Sequence, residues 1–168
     1  MAQNRSRVLL VDADMRNPRL NGVFKKENVK GLSTFLSGQA QFDEVIQKTE
    51  IDNLSLVPSG IHPPNPSELL AGHRMAAFVA EARGKFDFVL FDTPPVIILT
   101  DAVILSSVTD SVIVVVESGK TPKKTLPHIH KLLANAKARV IGIVLNKLSV
   151  HSSSYYHRYY SHYYKKPE

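Results

Sequence analysis

Five short stretches of this sequence are runs of apolar residues. They are "RVLLV" (7–11), "LSLV" (54–57), "FDFVLF" (86–91), "SVIVVV" (111–116) and "VIGIVL" (140–145). Each is strand-length and rich in β-branched or aromatic side chains, which predicts buried strands of a sheet covered on both faces. Between them apolar residues recur at helical spacing. "PSELLAGHRMAAFVAEARGKF" (66–86) predicts one helix that carries Leu69, Leu70, Ala76, Ala77, Val79 and Ala80, with Ser67 as its cap and Gly84 as its stop. "TPKKTLPHIHKLLANAK" (121–137) predicts another, in which Pro127 kinks the helix or delays its start. Strands alternating with helices indicate an α/β domain with a mostly parallel sheet and right-handed crossovers. The pattern stops near residue 150. "HSSSYYHRYYSHYYKKPE" (151–168) has no aliphatic residue to bury and reads as a flexible, disordered C-terminal tail following a domain over 1–150.

Composition narrows the class. A chain of 168 residues fits one domain with a substantial core. It has no cysteine, so a disulfide framework and a thiolate metal site are both excluded, which suits a cytoplasmic protein. Its apolar runs are too short to span a bilayer, and "MAQNRSR" lacks the apolar core of a signal peptide. The formal net charge of +6 is spread along the chain, with clusters at Lys25–Lys26, Lys120–Lys124 and Arg158–Lys166. It reads as a solvated basic surface, and no nucleic acid partner is assigned. His62, His73, His128 and His130 show no metal-ligand spacing.

In an open α/β sheet, ligands sit beyond the carboxyl ends of the strands, so the residues that follow each strand carry the chemistry. "RVLLV" is followed by "DADMRNPRL" and "FDFVLF" by "DTPPV". Asp12 and Asp14 project to one side if the chain is still extended there, and Asp92 arrives from a second strand. Three converging carboxylates repel and raise one another's pKa, a penalty that a hard, oxygen-seeking cation such as Mg²⁺ removes. Taken singly, an Asp after a strand is equally a turn former or helix cap.

"RVLLVDADMRNPRL" resembles the Walker A′ motif, and "FDFVLFDTPPV" the Walker B motif, of the bacterial tyrosine kinases that control capsule and exopolysaccharide assembly. "VPSGIHPPNPSELL" (57–70) and "VIGIVLNKL" (140–148) are similar to two further segments of that family, and all six tyrosines of the chain, Tyr155, Tyr156, Tyr159, Tyr160, Tyr163 and Tyr164, form its terminal cluster. The resemblance implies a P-loop NTPase-like fold and ATP with Mg²⁺ as cofactors. It also implies a catalytic set in which Asp12 orients or deprotonates the attacking tyrosine, Asp14 and Asp92 hold the metal, Arg16 stabilises phosphate charge and Asn146 reads the adenine. The tyrosine cluster is then the phosphoacceptor, and a membrane adaptor of the chain-length-determinant kind the partner, holding the kinase at the inner face of the membrane.

One expected part is not in the sequence. No G-x-x-x-x-G-K-[ST] occurs; "SGKT" (118–121) has Val114 where the first glycine belongs. The expectation is a P-loop NTPase-like domain lacking its first strand and P-loop, in which Met1 is an internal methionine of a longer ancestor and the chain is inactive alone. The family's N-terminal ring-forming helix is also not recognised, which bears on whether the chain forms a homo-oligomer. Two rivals stay open: a partition-type ATPase, which shares the fold and aspartates without the tyrosine cluster, and a non-catalytic regulatory module phosphorylated in trans by an intact kinase paralogue.

Overall fold

In the computed structural model, which describes residues 1–148, β1 (Val8–Asp12) is an interior strand, apolar on both sides and almost fully buried. The chain continues through α1 (Leu20–Val23), α2 (Leu32–Leu36), α3 (Phe42–Val45), β2 (Gln47–Lys48) and β3 (Leu54–Val57). It then forms α4 (Pro66–Ala71), α5 (His73–Lys85), β4 (Phe88–Asp92), α6 (Asp101–Ser106), β5 (Val112–Glu117), α7 (Thr125–Asn135) and β6 (Val140–Asn146). β1 pairs in parallel with β3 on one side and β4 on the other, while the two-residue β2 adds antiparallel to β3, giving the order β2-β3-β1-β4. β5 and β6 form a separate parallel pair. The mixed, mostly parallel α/β architecture is the one the apolar pattern calls for. Among the described residues no helix is long and apolar enough to cross a membrane.

The core lies on one face of the larger sheet. Leu9 and Val11 of β1 pack with Leu32 and Phe35 of α2, Phe42 of α3, Leu70 of α4 and Phe78 of α5. Phe78 sits 5.3 Å from Phe35, 5.2 Å from Phe42 and 6.2 Å from Phe91, ring centre to ring centre, an aromatic cluster that joins three helices to β4. α2 starts against the loop after β3: the Leu32 and Ser33 N–H groups donate to the carbonyls of Pro58 and Ser59 at 2.8 Å. That approach demands glycine at 31, where a Cβ would lie 2.2 Å from the Pro58 oxygen, and at 60, where φ is +82°.

Three expectations need correction. The segment 66–86 is two helices rather than one, because Gly72 adopts an extended conformation between α4 and α5; Asn65 and not Ser67 precedes the first turn, and α5 runs through Gly84 to Lys85. Pro127 neither kinks nor delays α7, since at the third position of the helix its missing N–H would have had no partner in any case. The prediction that every strand is covered on both faces holds for β1 and β3 but not for β4, β5 and β6. Phe88 and Leu90 of β4 and Ile113 and Val115 of β5 are exposed, and every residue of β6 is. Among the described residues β4 pairs only with β1, and β5 only with β6, so each has a free edge beside this uncovered apolar surface.

An apolar surface of this extent drives self-association. The purified 168-residue polypeptide is expected to bind a hydrophobic dye and to elute as assemblies that grow with concentration, with both effects reduced by Ile143→Ser together with Leu145→Ser. A protein that stays monomeric at all concentrations and melts in one sharp transition contradicts this.

Candidate active site

The register of β1 with β4 decides where the acidic groups go. Asp12 and Asp92 are the last residues of the two strands and are paired directly across the ladder, and the chain leaving β1 stays attached through the Ala13 N–H, which donates to the Asp92 carbonyl at 2.8 Å. Asp14 follows two residues later. The sequence reading that these three come together is met by neighbouring parallel strands ending at the same level.

The three carboxylates have different surroundings. Asp12 is buried, and its oxygens accept three backbone N–H groups, from Asp14 at 3.2 Å, Arg19 at 3.1 Å and Leu20 at 3.0 Å. It therefore shapes the loop 13–19 and caps the start of α1, the turn-and-cap role that any one of these aspartates could have had. Its Oδ2 takes two of these bonds and Oδ1 one, which leaves Oδ1 a lone pair. Asp14 is half-buried, and one oxygen receives the N–H groups of Arg16 at 3.2 Å and Asn17 at 2.9 Å, leaving the other free among the described residues. Asp92 is solvent-accessible.

Burial holds the Asp12 pKa above the ordinary carboxylate range; the backbone N–H bonds from Leu20, Arg19 and Asp14 work against this, and the charge of Asp14 adds to it. The Asp92 pKa is raised as well, first by partial loss of hydration and then by the negative charges of Asp12 and Asp14. These groups are close enough to repel through space. Among the described residues no three His, Asp or Glu side chains enclose a single point as they would around a bare cation. The donor set fits a cation held by one or two carboxylates with water completing its shell, the habit of Mg²⁺.

The remaining predicted residues lie differently. The Arg16 guanidinium bonds Asp101 through Nε at 3.1 Å and Ser67 through Nη2 at 2.9 Å. Asn146 ends β6 in the other sheet, with its side-chain oxygen accepting the Lys147 N–H. "SGKT" forms a turn closed on Glu117: Lys120 and Lys147 pair with the Glu117 carboxylate, and the Thr121 hydroxyl accepts the Glu117 N–H. The tyrosine cluster lies outside the described residues. Asp101, buried and bonded to two of the site's neighbours, is missed by sequence reasoning; its one signal is an acid in the first turn of a helix after Thr100.

With this geometry in place, similarity to known proteins becomes decisive. The sequence family described as an AAA domain matches residues 1–146. The tyrosine-protein kinase YwqD of Bacillus subtilis is 38% identical over 158 residues, covering 93% of this chain and 67% of that protein. The chain belongs to the bacterial tyrosine-protein kinases. The kinase domain of the Escherichia coli tyrosine kinase ETK, a member of solved structure, superposes with a TM-score of 0.86 at 31% identity, covering 92% of this chain and 61% of that one. The chain thus spans about two thirds of the length of these tyrosine kinases. A septum site-determining protein MinD from Pyrococcus horikoshii, solved with Mg-ADP, shares the fold at a TM-score of 0.69 and 22% identity.

In the unfolded chain the Asp92 pKa is ordinary, whereas in the folded kinase domain it is raised, so the folded state holds the proton to higher pH. Stability is accordingly lost as pH rises from the unfolded value through the folded one and stays reduced above it. Asp92→Asn removes that loss. The variant is expected to melt at a higher temperature than the parent at neutral pH, and the gap to close as pH falls below about 4, where Asp92 becomes protonated in the folded and the unfolded chain alike. Equal melting temperatures across this range contradict the assignment.

Proposed function

We propose that this chain carries the carboxylate part of an ATP-dependent protein-tyrosine kinase site acting in capsule or exopolysaccharide production, with its own tyrosine cluster as acceptor. The observation that carries the reading is the direct pairing of Asp12 with Asp92 at the ends of adjacent parallel strands. Asp14 and Asp92 would hold Mg²⁺, which supplies charge neutralisation at the transferred phosphate. A phenol with a pKa near 10 is a weak nucleophile at neutral pH. Asp12, with its raised pKa and a spare Oδ1 lone pair, is suited to take the phenol proton as the oxygen attacks the γ-phosphorus and the bond to the leaving ADP breaks. Arg16 spends two of its guanidinium N–H donors within the protein and retains others for phosphate. Asn146 is assigned to the adenine edge.

The cluster's flanks support its role as substrate. Residues 152–168 carry Arg158, Lys165 and Lys166 against Glu168, a formal +2 that favours approach to an acidic site. Each phosphate adds about −1.5 to −2, so modification of three tyrosines reverses the sign and opposes re-entry. A membrane adaptor of the chain-length-determinant kind is the proposed partner, and the cytoplasmic face of the membrane the place of action. The same chemistry allows homo-oligomers in which one copy phosphorylates the next. A second reading keeps the tyrosine cluster and its basic flank as substrate but not the catalysis: the chain is a regulatory module phosphorylated in trans by an intact kinase.

Adding ahead of Met1 the P-loop segment that the resemblance places before the Walker A′ strand separates the two. On the kinase reading the extended protein labels its own tyrosines from MgATP, as read by mass spectrometry, while the 168-residue polypeptide does not. Asp92→Asn lowers that labelling about 100-fold or more. Labelling of the extended protein only when an intact relative such as YwqD is mixed in supports the module, and robust labelling of the 168-residue polypeptide, abolished by Asp12→Asn, overturns the dependence on a P-loop.

A further inference from the structure

We propose that Arg16, Ser67 and Asp101 are positioning residues, which clamp the loop bearing Asp14 onto α4 and α6. This deepens the kinase reading of the site and rests on it for its functional meaning. The three side chains close a ring: Arg16 Nε donates to Asp101 Oδ2 at 3.1 Å, Arg16 Nη2 donates to Ser67 Oγ at 2.9 Å, and the Ser67 hydroxyl donates to Asp101 Oδ1 at 2.6 Å. Residues 51 and 85 positions from Arg16 are thus fixed to one guanidinium.

The Asp101 side chain is 0% exposed, and that of Arg16 36%. A carboxylate withdrawn from water needs partners for its oxygens, and here both are taken by this ring. The other end of the clamp is the catalytic loop itself. Arg16 and Asn17 donate their N–H groups to one oxygen of Asp14, so wherever the Arg16 guanidinium is held, the free Asp14 oxygen is aimed. His62 adds a second tether one residue away, its Nδ1 standing 2.7 Å from the Met15 carbonyl oxygen. α4 lies in the "PPNPSELL" stretch, and through it that stretch presents Ser67 to the loop that follows β1.

Lysine at 16 keeps the positive charge but not the fork that reaches Ser67 and Asp101 together. Arg16→Lys, Asp101→Asn and Ser67→Ala are expected to speed amide hydrogen exchange about tenfold at residues 14–20, while the amides of β1 and α5 stay protected. Ser67→Thr, which keeps the hydroxyl, is expected to exchange like the parent. The measurement needs neither nucleotide nor cation, so its outcome is independent of whether kinase activity is found. Unchanged exchange at 14–20 in all three variants overturns the clamp. So does a uniform rise through β1 and α5, which marks these residues as general supports of the fold.

Discussion

The parallel pairing of β1 with β4 is the constraint on which the site depends. It delivers Asp12 and Asp92 to the same level of the sheet, and the Ala13 N–H bond to the Asp92 carbonyl keeps the departing chain beside β4 long enough for Asp14 to join them. Register in a buried parallel pair is strongly specified, since a slip of one residue would turn Leu9 and Val11 away from the core they share with Phe78. The repulsion among the acids is therefore imposed by the packing of apolar residues one strand-length away. Such a strained grouping is a common mark of functional chemistry in a cleft.

The loop after β1 answers part of that repulsion locally. Three backbone N–H groups converge on Asp12, where they favour the charged carboxylate, and two on Asp14, so the loop is built around its acids. What remains uncompensated is felt at Asp92, the most accessible of the three and the one best placed to meet a cation that keeps its waters. The uncovered apolar surface of β4, β5 and β6 is a separate matter of stability, since each half-exposed Ile or Leu forgoes half of the roughly 1.5–3 kcal/mol that full burial returns.

Much of this is legible in the sequence. The apolar runs locate all of the long strands to within two residues at either end, and the aspartates that follow two of them mark the site because carboxyl ends of parallel strands are where ligands gather. The short helices α1, α2 and α3 and the antiparallel β2 leave too few residues for periodicity to register, and α1 begins at the cap supplied by Asp12, whose turn-forming role competes with its chemical one. Gly72 reads as a tolerated helix interior because its extended conformation is set by the packing of α4 and α5, not by its neighbours in sequence. No local rule finds the Arg16–Ser67–Asp101 ring: its members lie far apart in the chain and meet only after β1, α4 and α6 are in place.

Binding of Mn²⁺ as a stand-in for Mg²⁺, followed by electron paramagnetic resonance, tests the central claim most directly. The carboxylates of Asp14 and Asp92, gathered by β1 and β4, should bind one ion per chain, with affinity weakened about tenfold or more by Asp92→Asn and unchanged by Asp87→Asn, whose carboxylate pairs with Arg7 instead. Equal affinity in the parent and in Asp92→Asn would show that the paired strand ends do not form the metal site.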